Sequence, residues 1–134
     1  MIRKILLIGS LLTILNSCNN KVNYPFNYVE TKKEDDNEML LYTCGEKPNF
    51  DTITMFCSEQ KKDFNTGSMH IVVFFDNKSN AVFPNNPITA LHNEESQLKH
   101  IKAVYTYNNV NSYSSLITYE TNAWEGKSKE TIVK

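Results

Sequence analysis

The sequence predicts an α+β fold, in which a mainly antiparallel sheet of short strands is accompanied by one helix at about residues 93–101. Residues 71–75 form an uninterrupted apolar run, which is typical of a central strand covered on both faces. The other apolar segments are short and are separated by turn-forming residues, as antiparallel strands are. Asn93 can cap a helix whose first turn holds Glu94 and Glu95, where the helix dipole favours anions.

The first strands follow from their residue types. Apolar, β-branched and aromatic residues predict strands at 39–45 and 52–57, and a polar connection follows at 58–67. The central strand is expected at 68–76, and a short antiparallel partner at 81–84. The helix at 93–101 would then supply one of the two covers that the central strand needs.

The last third of the chain is rich in tyrosine and predicts a hairpin. The strands expected there are 102–108, 113–120 and a terminal strand at 130–134. If Tyr107 lies opposite Tyr113, alternation places both rings on the apolar side of the hairpin, at its turn end. Together with Trp124 they would form an exposed contact patch, because aromatic residues dominate recognition surfaces. The alternative is that these tyrosines lie at the margin of the core, since strands favour tyrosine.

The first residues have the layout of a secretory signal. Arg3 and Lys4 precede an apolar run at 5–15, which is shorter than the roughly 20 residues that a transmembrane helix needs. The run ends in Leu15-Asn16-Ser17-Cys18, an aliphatic, a permissive and a small residue before a cysteine. This sequence resembles the lipobox of bacterial lipoproteins. An ordinary signal peptide with a chance cysteine is the alternative.

The resemblance implies cleavage before Cys18 and attachment of palmitate-type acyl chains to its sulfur and its new amino group. Several chains anchor a protein stably, whereas one chain binds a membrane only marginally. Asn19 stands where enteric bacteria use an aspartate to retain lipoproteins in the inner membrane, which implies the outer membrane. Both its periplasmic and its surface face remain possible locations.

The sequence divides into three regions. Residues 1–17 are the predicted signal peptide, 18–37 a lipidated N-terminus and tether, and 38–134 a single small globular domain. The alternating aromatic residues Tyr24, Phe26 and Tyr28 offer a different interpretation of the tether, as an edge strand. Loss of Arg3 and Lys4 with the signal leaves 12 basic residues of the 14, against 15 acidic ones. That balance argues against a nucleic-acid partner.

Cys44 and Cys57 are the cysteines that remain after Cys18. An exported chain meets an oxidising environment, so we expect a Cys44–Cys57 disulfide. It would close a loop of about 14 residues and stabilise the domain by roughly 3 kcal/mol in the chain-entropy model.

Chemistry-bearing motifs are scarce. His70, His92 and His100 form no zinc-binding pattern, and Ser68 lacks the G-x-S-x-G elbow of a serine hydrolase. His70 is expected to be half-buried, with one hydrogen bond. We therefore predict no catalytic residue, no metal and no cofactor.

The favoured interpretation is a small lipoprotein with a binding or accessory role, as an inhibitor, an immunity protein or an envelope component. Its partners would be the membrane, through the lipid on Cys18, and an unknown protein or glycan. The alternative is a small periplasmic hydrolase or metal-dependent enzyme that uses His70, Asp76 and His92. A concave pocket that holds two or more of these three groups would favour the enzyme.

Overall fold

A single six-stranded sheet organises residues 22–134, the part of the chain that the computed structural model describes. The strands lie side by side in chain order: β1 Asn27–Glu34, β2 Asn37–Thr43, β3 Met69–Phe75, β4 Ile101–Asn108, β5 Tyr113–Tyr119 and β6 Ser128–Ile132. Neighbouring strands are antiparallel, except that β2 and β3 are parallel. The predicted α+β class with a mainly antiparallel sheet is confirmed.

The parallel pair requires a crossover, and helix α1 (Phe50–Asp63) provides it. The predicted strand at 52–57 and polar connection at 58–67 are therefore wrong. Asn49 caps α1 by accepting hydrogen bonds from the backbone of Asp51 at 2.9 Å and of Thr52 at 3.1 Å. Ile53, Phe56 and Cys57 recur at helical spacing and bury one side of α1 against the sheet.

The sheet has an apolar core on each face, because alternate residues of a strand point to opposite sides. On the α1 side, Val72 and Phe74 of β3 pack among residues that include Phe56, Tyr105 and Leu116. On the other side, Ile71, Val73 and Phe75 meet residues 76–100, whose Ile88 is fully buried. The central strand is covered on both faces, as the apolar run at 71–75 predicted.

The covering segment 76–100 contains less regular structure than expected. Its helix α2 spans only Glu95–Leu98, and Glu94, not Asn93, is the N-cap. The Gln97 side-chain amide donates to the carbonyls of Val82 and Phe83, at 3.1 Å each. These bonds fold residues 81–84 onto the helix, so the strand predicted there does not form.

The amino-terminal part of the domain begins earlier than the predicted boundary at residue 38. Residues expected to be tether form β1, the edge strand that the alternating aromatic residues offered as the alternative. Tyr24 and Phe26 precede it and pack against the ring of Phe56, with centroid distances of 5.1 and 5.5 Å. Cys18 and the signal sequence lie outside the described residues. Among residues 22–134, no helix combines the length and the apolar character needed to cross a bilayer.

Candidate functional site

The predicted aromatic patch is not formed, because the β4–β5 register differs by one residue from the expected one. Tyr107 pairs with Ser114, and Tyr113 pairs with Asn108. A shift of one residue moves a side chain to the other face of a sheet. Tyr107 is therefore buried beside α1, with 7% of its surface exposed, whereas Tyr113 is 47% exposed on the opposite face.

Trp124 lies away from both tyrosines. It follows the far end of β5, is 49% exposed, and its ring lies 5.9 Å from the Lys99 ammonium. The Tyr113 hydroxyl instead donates to the Glu130 carboxylate of β6 at 2.8 Å. The three residues expected to form one contact surface occupy three separate places.

Cys57 is buried in the core on the α1 side, and Cys44 packs partly buried against that core. Cys44 follows β2 and Cys57 lies within α1, and both are free thiols in the structure. Burial raises the pKa of Cys44 to about 12 and also raises the pKa of Cys57. Buried thiols of this kind are poor nucleophiles at neutral pH. The expected Cys44–Cys57 disulfide is not formed in the structure, and its formation in an oxidising compartment stays a prediction.

Neither cleft of residues 22–134 brings together the three groups considered for an enzyme. His70 is near the start of β3, whereas Asp76 follows its other end, roughly 20 Å away for a seven-residue strand. Asp76 Oδ2 lies 2.9 Å from Nδ1 of His100, a residue outside the expected set. His92 is exposed within the covering segment. Within residues 22–134, no three His, Cys, Asp or Glu side chains are grouped as a metal site requires.

A polar cleft of about 380 Å³ surrounds His70 at the end of the sheet where β1 turns into β2. We call it the acidic cleft. The β1–β2 turn, the C-terminal end of α1 and the start of β3 supply its walls: Lys33, Asp35, Asp36, Asn37, Glu38, Leu40, Gln60, Asp63, Phe64, Thr66, Gly67 and His70.

Gly67 allows these walls to approach one another. The backbone N–H of Ser68 donates to the carbonyl of Asp36 at 2.7 Å, which joins the β1–β2 turn to the start of β3. Gly67 itself has a φ of +91°, and a Cβ there would lie 2.5 Å from the Asp36 oxygen. Only glycine combines this backbone conformation with this close contact.

His70 forms the floor of the acidic cleft and is 2% exposed. Its Nδ1 lies 2.8 Å from Oε1 of Glu38, and its ring stacks on Phe64 with centroids 4.8 Å apart. Burial lowers the pKa of His70, although the Glu38 carboxylate opposes that effect. The imidazole is therefore neutral at neutral pH, with Nδ1–H donating to the carboxylate, which can only accept.

That tautomer leaves Nε2 as a lone-pair acceptor. Nε2 is buried and has no hydrogen-bond partner among the described residues. A buried polar atom without a partner costs about 1–3 kcal/mol, so such atoms are uncommon and often mark functional positions.

The electrostatic balance of the acidic cleft is negative. Four carboxylates and one ammonium line it, a formal charge of −3. The ammonium of Lys33 lies 3.8 Å from Oε2 of Glu38, so the negative charge of Glu38 is partly neutralised. Clefts lined by one sign of charge concentrate ligands of the opposite sign.

A smaller groove of about 160 Å³ lies on the opposite face, where the covering segment ends and leaves part of β4 and β5 uncovered. Its walls are mostly apolar and include Val104, Ile117, Tyr119 and Leu91. The acidic cleft and this groove are the two concave features of note within residues 22–134.

Sequence reasoning identified His70 but not its surroundings. The charged residues 32–36 fall within the predicted tether, and no sequence motif links Glu38 to His70. Its pairing with His70 follows from the parallel register, in which the two residues are direct neighbours. The one available signal was the density of carboxylates at 34–38, where four of five residues are Asp or Glu.

Comparisons with protein-family models, with curated proteins and with solved structures found no match to this chain.

Proposed function

We propose that this chain is a lipid-anchored binding protein of the cell envelope, with an inhibitor, immunity or assembly-accessory role, and that it receives part of a protein partner in the acidic cleft. The lipobox-like sequence at Leu15–Cys18 supports attachment through acyl chains on Cys18, and Asn19 supports the outer membrane as its location. Residues 22–134, the part that the structure describes, would then be the domain that meets the partner.

The observation that carries the binding role is the construction of the acidic cleft. It is concave, its walls include the ends of three regular elements and the short turns that join them, and its floor contains a buried acceptor without a partner among the described residues. Rigid elements hold binding groups more reproducibly than loops do. The enzyme alternative depended on convergence of two or more of His70, Asp76 and His92, and only His70 lies in this cleft.

Site-specific photo-crosslinking in intact cells of the source organism tests the proposal. A photoreactive residue in place of Thr66, on the wall of the acidic cleft, should yield a discrete crosslinked product with a protein of the envelope. The matched control replaces Thr121, which is exposed outside the cleft, and should not yield that product. The proposal fails if Thr66 gives no product, or if both positions give the same one.

A further inference from the structure

We infer that the group received by the acidic cleft is a cationic N–H donor, namely a lysine or arginine side chain of a polypeptide partner. This inference rests on the proposed function, which assigns a partner to the cleft but not the chemistry of the contact.

The carboxylates provide the first argument. Asp35 and Asp36 lie in the β1–β2 turn, and Asp63 ends α1, so three separate chain positions bring negative charge to one cleft. None of these three aspartates forms an ion pair with a described residue. Their charges are therefore available to a ligand, and a planar guanidinium can bind carboxylates through paired hydrogen bonds.

His70 provides an independent argument. Because Nδ1–H is engaged by Glu38, the free Nε2 can only accept a hydrogen bond. An anion or a carbonyl oxygen has no hydrogen to donate. It could therefore form no hydrogen bond with the lone pair of Nε2 at the floor or with the carboxylates at the rim. A ligand N–H that enters far enough completes the hydrogen bonding of the imidazole. The floor and the rim thus select the same ligand, a positively charged donor.

The contact is expected to be weak when the side chain is presented alone. The aspartates are exposed, and ion pairs between exposed groups are strongly screened by water and salt. A single arginine side chain should bind in the millimolar range, and the rest of the partner would supply the remaining affinity.

The test is an NMR titration of the mature chain from residue 18, made soluble by Cys18→Ser. N-acetyl-arginine methylamide should shift the amide signals of Gly67, Ser68 and His70 saturably. N-acetyl-citrulline methylamide has the same shape without the charge and should bind at least tenfold more weakly. The double substitution Asp36→Asn and Asp63→Asn should weaken arginine binding at least fivefold. The control Glu46→Gln, which removes an exposed carboxylate outside the cleft, should leave it unchanged.

Three results would overturn the inference. Equal binding of the arginine and citrulline compounds, or no shift at these amides with arginine, would exclude a cationic side chain as the ligand group. Spermidine or Ca²⁺ binding tenfold more tightly than arginine would assign the cleft to a free cation instead. If Thr66 crosslinks to an envelope protein but arginine does not bind in the titration, the proposed function is supported and only the cationic nature of the contact is excluded.

Discussion

At the scale of single residues, His70 has properties that sequence alone cannot supply. One hydrogen bond was expected for it, and one is present, to Glu38. Its full burial was not expected, because that depends on Phe64, which closes over the imidazole from the end of α1. Glu38 is 32 residues away in the chain and becomes a neighbour only through the β2–β3 pairing. No local pattern encodes that contact.

The burial of His70 predicts a pH dependence of stability. Its folded pKa lies below the ordinary value of 6.5, at which the unfolded chain titrates. As the pH falls below that value, the unfolded state takes up a proton that the folded state does not, so the free energy of unfolding decreases. The loss is at most about 1.4 kcal/mol per pH unit for one proton.

Urea denaturation between about pH 7 and pH 5 measures this dependence. His70→Phe keeps a ring in the core and should reduce the slope of stability against pH. His92→Phe alters an exposed residue and serves as the control, with the wild-type slope expected. Identical slopes for wild type and His70→Phe would show that the buried imidazole does not contribute.

At the scale of elements, the strands were largely predictable and α1 was not. Uninterrupted or alternating apolar residues marked β2, β3, β4 and β5, because burial in a sheet requires that pattern. The segment 52–57 has the same β-branched and aromatic composition, yet it belongs to a helix. Two sequence features indicate the helix: the capping residue Asn49 and the helical spacing of Ile53, Phe56 and Cys57. Composition alone predicts a strand at 52–57. The parallel β2–β3 pair needs a crossover connection, however, and the helix supplies it.

The β4–β5 register predicts that Tyr107 contributes more to stability than Tyr113, although the sequence pattern places both on one face of the hairpin. Tyr107→Ala removes a buried ring and should destabilise the domain by about 3 kcal/mol or more. Tyr113→Ala removes an exposed ring with one hydrogen bond to an exposed carboxylate and should cost less than about 1 kcal/mol. Chemical denaturation of the two variants gives both values. Equal destabilisation would contradict the register in which Tyr107 faces α1.

At the scale of the whole molecule, the structure supports the fold of the domain, whereas the sequence alone supports its lipid attachment. The fold class could be predicted because alternation and apolar runs report burial, and burial is what a sheet requires. The acidic cleft could not be predicted, since its walls come from three elements that only the tertiary structure assembles. The attachment remains a sequence-based prediction, because Cys18 lies outside the described residues. Eight residues separate Cys18 from β1, so the proposed anchor would hold the sheet within about 30 Å of the lipid surface.

Substitution of the lipid site tests the attachment. Cys18→Ser removes the thiol that would carry the acyl chains, so the protein should accumulate as an uncleaved precursor or in the soluble fraction. Membrane fractionation and mass spectrometry of the N-terminus measure this. Cys44→Ser is the matched control and should remain membrane-bound. Recovery of Cys18→Ser from membranes with the mature N-terminus would exclude this residue as the anchor.

A strand order identical to the chain order leaves the first and the last strand at the two borders of the sheet. If the proposed lipid anchor forms, copies on one bilayer would be confined to two dimensions, where the edge strands of different copies would meet often and could pair through their free backbone groups. Both borders carry features that discourage such pairing: β1 has a bulge between Tyr28 and Glu30 and bears the charged residues 32–34, and the five-residue β6 carries Lys129 and Glu130. These edge features would therefore keep densely anchored copies of this protein separate, each with its own cleft.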